Sequence, residues 1–475
     1  MSGFEVPDVL ASRYASRAMR EIWSPEGRVR LERELWIAVL EAQAELGMDV
    51  PHEALEAYRA VVDVVDLESI RRRELRLRHD VKARLEEFAE LAGYQLVHRG
   101  MTSRDLTENV EQLQVRRSLE LVGHKSAALL QRLADKASAY RDTKVVARTH
   151  NVPAQVTTLG KRFANVAEEL ILAVERLERL IDNYPLRGIK GPVGTQQDQL
   201  DLLGDVSAVE RLERAVTSHL GFRRTMTSVG QVYPRSLDFD VVSALVQVAA
   251  APGDLATTIR LMAGHDLISE GFSEDQVGSS AMPHKVNART CERISALLGV
   301  MKGQLAIVAG LVGNQWNEGD VSCSAARRVA IPSAFFAVDG ILEAAMTVLD
   351  EMVVFEEELH EELRRWSPFL ASTRILTRMQ ELGVGREDAH AILREHSLAA
   401  ARRMRSEGLS HPPLVDSLAS DPRVPVEREE IERLVDPEGL PTGLAGRQVD
   451  EVVRRARIVA ERWPGARDYR PDPIL

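Results

Sequence analysis

An all-α protein organised around a bundle of long helices is what this sequence predicts, and three observations carry that prediction. Apolar residues recur at spacings of three, four or seven through the middle of the chain, the repeat of one helix face. Runs that alternate apolar and polar residues, as a half-buried strand requires, are scarce. Aromatic residues make up only 5% of the chain, which fits helix over sheet because strands concentrate them.

Taken in order, residues 1–101 form an N-terminal helical domain that ends at the break His98-Arg99-Gly100. Its run Arg71, Arg72, Arg73 is a solvated helix face, the usual place of a charge run. A central domain spans 102–355. In it Leu119, Val122, Leu129, Leu133 and Ala137 share one helix face, and Val166, Leu170, Ala173, Leu177 and Leu180 share another. Val241, Leu245, Val248, Leu255, Ile259 and Met262 hold a third phase across Pro252-Gly253, where the missing proline N–H predicts a kink. Ile294 to Val312 and Pro332 to Met352 are long and apolar enough to complete the bundle. A C-terminal helical domain covers 356–475, with a Gly/Pro-punctuated stretch from Val435 to Gly446 and an extended tail, PGARDYRPDPIL. Helices of this length reach roughly 30 Å at ~1.5 Å per residue. Their apolar stripes exceed one small core, so packing against further copies of the chain is the natural outlet, although periodicity cannot count those copies.

A length of 475 residues allows about three domains at ~150 residues each. Hydrophobic content of 44% beside 28% charge is ordinary for a globular protein. No window approaches ~18 uninterrupted apolar residues, and the start MSGFEVPDVL has neither a basic nor an apolar leader region, so a cytoplasmic protein without a membrane partner is expected. Cys291 and Cys323 give no disulfide framework and no metal-ligand spacing, and are expected to be small buried residues. The net charge of −11 speaks against nucleic acid as a partner. An anionic small molecule is still allowed where cations such as Arg13, Lys285, Arg293 and Arg328 gather.

The stretch Gly278 to Asn287, GSSAMPHKVN, places two hydroxyls, a lysine and a carboxamide on one loop inside a segment spanning 270–289. Glycine before two serines lets backbone N–H groups turn toward a common point, and Lys285 adds a fixed charge, a combination suited to a carboxylate or an oxyanion. Lys285 and Asn287 can meet the two oxygens of one carboxylate. Neither serine has a lysine three residues on, which excludes the Ser-x-x-Lys pair of penicillin-binding proteins. No HExxH and no Cys/His cluster occurs, so neither a metal nor a cofactor is expected.

GSSAMPHKVN matches every fixed position of GSSxMPxKxN and resembles the signature loop of the fumarase/aspartase superfamily. ASRYA (11–15), RHDV (78–81), TSRDLTEN (102–109), THNVPAQVTTLGKR (149–162) and QVYPR (231–235) are similar to the adenylosuccinate lyase family, in that family's order. Argininosuccinate lyase and carboxymuconate cycloisomerase share the loop and remain the alternative lyases, with RHDV and QVYPR favouring a purine substrate. A catalytically silent protein on the same scaffold is the alternative of another class, and the presence of Ser279 and His150 speaks against it. The resemblance implies a three-domain fumarase/aspartase-type fold and a homotetramer with a twenty-helix core. It also implies active sites shared between subunits and β-elimination of fumarate from adenylosuccinate and from the succinylated aminoimidazole carboxamide ribotide.

On that resemblance Ser279 is the base, His150 the acid that protonates the departing purine nitrogen, and Glu292 the carboxylate that orients His150. Lys285 and Asn287 meet the developing charge, and Thr102 and Ser103 hold the other carboxylate. Arg78, His79 and Asp80 fall on the nucleotide, Arg13 and Tyr14 beside its phosphate, and Gln231 and Arg293 on the substrate, with Ser324 and Arg328 in a Ser-x-x-x-Arg segment. Taken singly, each has an ordinary surface or capping role as its default. Adjacent helical positions diverge by about 100°, so His79 and Asp80 are not expected to serve one atom. One departure stands out: Gly319 occupies a position where many family members carry an arginine, and the lost contact weakens phosphate binding unless Arg327 or another subunit compensates.

Overall fold

The computed structural model describes residues 7–271, 282 and 284–473. Two short helices, α1 (Val9–Arg13) and α2 (Arg17–Trp23), lead into α3 (Pro25–Glu45), α4 (His52–Ala60), α5 (Leu67–Leu77) and α6 (Asp80–Ala92). The long α7 (Ser103–Ala139) is followed by a ribbon of β1 (Lys144–Thr149) and β2 (Val152–Thr158), then α8 (Leu159–Asn183), α9 (Gln197–Leu203), α10 (Val206–His219) and α11 (Ser236–Ala263). After β3 (Ile268–Ser269) come α12 (Arg289–Ala309), α13 (Ser324–Glu351) and β4 (Val353–Val354). The chain continues through α14 (Glu356–Leu370), α15 (Ser372–Glu381), α16 (Arg386–Ser406), α17 (Leu414–Ala419), α18 (Arg428–Val435) and α19 (Ala445–Glu461). Among the described residues, strands form only two short antiparallel ribbons, β1 with β2 and β3 with β4. The fold is all-α, as the periodicity predicts.

Helices α7, α8, α11, α12 and α13 pack together into one large core. The predicted faces are the buried ones: Leu119, Val122, Leu129, Leu133 and Ala137 on α7, and Val241 to Met262 on α11, which runs through Pro252 without a break. Helix α13 begins at Ser324 rather than at the predicted Pro332, because its first turns, SAARR, are helical without being apolar. Both α11 and α13 are apolar and long enough to cross a membrane by composition. However, 61% and 89% of their most apolar windows are buried inside the molecule, which accounts for the composition.

A second core forms among α14 to α18 from Leu363, Ile375, Met379, Leu393, Leu414, Leu418 and Ile431, and Val146 of β1 joins it. Helix α19 leaves that cluster and lies on α7 and α8, placing Val449, Val453, Ala456 and Val459 in the first core. Gly123 on α7 permits this return, since a Cβ there would lie 2.2 Å from the indole of Trp463. Cys291 and Cys323 are both buried and unbridged. Burial, reinforced by the nearby Glu270 carboxylate, pushes the Cys291 thiol well above its ordinary range.

Candidate active site

The sequence-predicted site residues fall into four groups within one chain. The first surrounds Tyr14, the residue that closes α1, with Arg13 exposed beside it. The Tyr14 backbone approaches α13 at Gly340, where a Cβ would stand 2.7 Å from the Tyr14 carbonyl oxygen. The Arg293 guanidinium stacks 5.9 Å from the centroid of the Tyr14 ring, so two predicted substrate residues are brought together by a cation–π contact.

Arg293 stands near the start of α12, a helix whose N-cap, Ala288, has no side chain to satisfy the leading N–H groups. The buried Glu270 does so from a distance in sequence, its two oxygens accepting from Thr290 N and Cys291 N at 2.9 Å each. Glu292 occupies the first turn of this helix, as expected, and faces Arg260 at 3.8 Å. Lys285 is exposed and its N–H donates to the Met282 carbonyl at 3.0 Å, while Asn287 is half-buried. Ser279 lies outside the described residues.

The second group is built on a buried carboxylate that sequence reasoning passed over. Asp105, at the third position of α7, accepts the Thr102 N–H at 2.8 Å through Oδ2, which fixes the helix start at Thr102 and Ser103. Its Oδ1 accepts from Lys190 N at 2.8 Å, Gly191 N at 3.0 Å and Arg187 Nη1 at 2.6 Å. The fully buried Arg187 also donates to the Gly230 carbonyl at 2.9 Å, directly before Gln231. Thr102, Ser103 and Gln231 therefore share one rigid support. The glycines of GIKGPVG (188–194), several of which adopt left-handed conformations, are the signal that could have drawn attention to that loop.

Gln231 is also clamped from the other side. Its N–H donates to the Glu318 carbonyl at 2.6 Å, and a Cβ at Gly319 would come within 2.7 Å of the Gln231 Cβ. Glycine at 319 is thus what lets Gln231 sit where it does. Of the two ways to compensate for the missing arginine, Arg327 is not one that the chain offers. Arg327 is buried and fully engaged, with Nε donating to Asp238 at 2.6 Å, Nη1 to Glu111 at 2.7 Å and Nη2 to the Tyr233 hydroxyl. Burial alone would raise the Glu111 carboxyl, but the Arg327 and Arg28 charges carry it below its ordinary value. Arg235 is likewise spent on Glu108, at 3.0 Å. Arg328, one residue past Arg327, is exposed, and Ser324 opens α13.

The third group is the turn of the β1–β2 ribbon. Thr149 pairs with Val152, so His150 and Asn151 form a two-residue loop, with φ of 52° and 60° as a hairpin of this type demands. The imidazole of His150 is exposed at the tip, and no hydrogen bond or ion pair joins it to Glu292 within the chain.

The fourth group corrects a premise about RHDV. These residues do not continue a helix: Arg78 ends α5 in the left-handed region at φ 53°, and His79 caps α6, its Nδ1 accepting from Lys82 N at 3.2 Å. The turn between the helices, not the 100° helical step, sets the relation of His79 to Asp80, and their side chains approach to 3.8 Å. Burial opposes ionisation of Asp80, but Arg84 at 3.0 Å outweighs it and holds the carboxyl below its usual range.

Among the described residues no group of three or more His, Cys, Asp or Glu side chains could hold a metal ion. The arrangement offers cations, hydroxyls and helix-terminal N–H groups for an anionic substrate.

Residues 11–303 match the family described as Lyase, and residues 368–452 match that described as Adenylosuccinate lyase C-terminus. The chain is 34% identical over 452 residues to adenylosuccinate lyase of Saccharomyces cerevisiae, covering 94% of this chain and 93% of that protein. It is 35% identical over 422 residues to adenylosuccinate lyase of Schistosoma mansoni, covering 88% of each. Among solved structures, 3-carboxy-cis,cis-muconate lactonizing enzyme from Pseudomonas putida superposes with a TM-score of 0.82 at 23% identity, over 95% of this chain and 100% of that one. Fumarate lyase from Mesorhizobium sp. BNC1 gives 0.78 at 22%, over 93% and 98%. At such identities the two structures speak for the fold alone.

Proposed function

From the premise that this chain belongs to the adenylosuccinate lyase family, we propose how its own residues divide the work of the reaction. The protein is a carbon–nitrogen lyase that eliminates fumarate from adenylosuccinate to leave AMP. The observation that carries this reading is the identity to adenylosuccinate lyases over about nine tenths of the chain, with the C-terminal match included.

In the proposed mechanism Ser279 acts as an alkoxide stabilised by Lys285, and takes a proton from the carbon next to a substrate carboxylate to become the neutral hydroxyl. The electron pair flows into that carboxylate as a dianionic aci-form, which Lys285 and Asn287 stabilise as charge develops. The pair then returns to form the double bond of fumarate as the C–N bond breaks, and His150 delivers a proton to the departing nitrogen. Thr102 and Ser103 hold the second carboxylate at the α7 N-terminus. Arg13 and the stacked pair Tyr14 and Arg293 take the phosphate side with Ser324 and Arg328, while Arg78, His79, Asp80 and Gln231 surround the nucleoside. Glu292 orients His150 across a subunit boundary, because within one chain it faces Arg260 instead. We propose with this a homotetramer with shared sites, in a cytoplasmic enzyme without a nucleic-acid or membrane partner, whose domains divide near 101 and 355 except that α19 returns to the central one.

The test is chromatography of the products from purified protein incubated with adenylosuccinate and with the succinylated aminoimidazole carboxamide ribotide. Fumarate with AMP or the free ribotide is expected. No fumarate from either substrate would sink the proposal, and turnover of argininosuccinate or carboxymuconate alone would transfer it to the other lyases.

Gly319 supplies a second check. If an arginine at 319 simply restored a phosphate contact, Gly319→Arg would lower KM. The close approach to Gln231 predicts the opposite, a rise of about tenfold, the equivalent of ~1.4 kcal/mol, because the side chain displaces Gln231 from its clamp.

A further inference from the structure

We infer that the C-terminal tail is a strap that holds the Arg13–Tyr14 segment in its substrate-binding position, so that residues 469–472 are positioning residues for the nucleotide although none of them touches it. This rests on the assignment of Arg13 and Tyr14 to the substrate.

The strap acts through a buried polar node between α7 and α13. Lys125, fully buried on α7, donates to Ser16 Oγ at 2.8 Å and to Asp339 Oδ1, and pairs with Glu343 Oε1 at 2.5 Å. Asp339 turns its other oxygen to the Ser16 N–H at 2.6 Å. Ser16 is two residues past Tyr14, and Gly340, next to Asp339, receives the Tyr14 backbone. The node therefore fixes the segment just beyond Tyr14 to the same turn of α13 on which Tyr14 rests.

One ammonium cannot by itself satisfy two buried carboxylates, and an uncompensated buried charge is costly. The tail provides what is missing. The Tyr469 hydroxyl donates to Glu343 Oε1, and Asp472 N donates to Glu343 Oε2 at 2.7 Å. The Asp472 carboxylate in turn accepts Arg17 N at 2.9 Å, so the tail grips the segment after Tyr14 directly as well as through the node. Arg132 anchors the strap, donating to the Tyr469 carbonyl at 2.9 Å while its Nε holds Asp350 at 2.8 Å. Burial raises the Glu343 carboxyl against the pull of Lys125, in keeping with a group that needs every donor it has.

The experiment compares the full chain with a variant ending at Asp468 and with the point variants Tyr469→Phe and Asp472→Ala. Truncation is expected to raise KM for adenylosuccinate at least fivefold while kcat stays within twofold, with the point variants intermediate. In the ligand-free protein, hydrogen exchange at the Ser16 and Arg17 amides should accelerate at least tenfold, with exchange in the middle of α7 unchanged. Unaltered exchange at Ser16 and Arg17 in the truncated protein would overturn the strap whatever the kinetics. If the truncated chain does not fold, the same exchange comparison on the two point variants decides. Tyr14→Ala is the separate control: an unchanged KM there would remove Tyr14 from the substrate, while the exchange result would still stand or fall by itself.

Discussion

Turnover is expected to fall at least ~10²-fold in His150→Ala, the scale of removing a well-placed general acid, and by a similar factor or more in Ser279→Ala. The hairpin refines the choice of variant. At φ 52° an alanine is strained by ~1–2 kcal/mol, whereas asparagine adopts the left-handed region readily. His150→Asn should therefore keep the turn and the melting temperature of the parent while remaining as inactive as His150→Ala. The measurement is steady-state fumarate release alongside circular dichroism and sedimentation. Near-normal activity in the asparagine variant would remove His150 from the chemistry. Loss of activity that tracked loss of helix content in either variant would assign it a structural part instead.

The second large effect is recovery rather than loss. Mixing inactive His150→Ala and Ser279→Ala proteins after gentle dissociation is expected to restore activity, because a site that draws these residues from different subunits can receive both intact. In a symmetric tetramer assembled at random, about one quarter of such sites are whole, so activity of the order of 25% of the parent is the target. The single-chain geometry motivates this. His150 projects from a hairpin with no hydrogen bond or ion pair to Glu292, which faces Arg260 instead. Mixed tetramers verified by mass analysis and showing no activity would require both residues to act within one chain.

How much of this was readable in advance depends on the range of the interaction. The faces of α7 and α11 were legible because a helix repeats its apolar pattern locally, and a residue such as Leu129 announces its burial through Leu133. The polar start of α13 was not, since SAARR carries no apolar period. Buried ion pairs were illegible for a different reason. Asp105 finds Arg187 at a separation of 82 residues, and Glu270 caps a helix that begins 19 positions later, so neither partner marks the other in the sequence. Whether Arg327 was available could not be read on the same ground, since its charge is committed to Asp238 and Glu111, 89 and 216 residues away. The motif strings stand out because they are contiguous, while their junctions, such as the helix-to-helix turn at Arg78-His79, needed the fold.

The return of α19 onto α7 and α8 bears on how the protein is made. On the ribosome α7 emerges more than three hundred residues before the helix that covers it, and at ~5–20 residues per second that interval lasts tens of seconds. Throughout that time the groove at Gly123, shaped for the indole of Trp463, faces water or whatever else binds it. Contacts that span most of the chain also make for slow closure, since the loop entropy must be overcome before they form. Nascent chains halted before Trp463 should therefore bind holdase chaperones and resist folding, and emergence of the segment that carries Trp463 should be the event that closes the core.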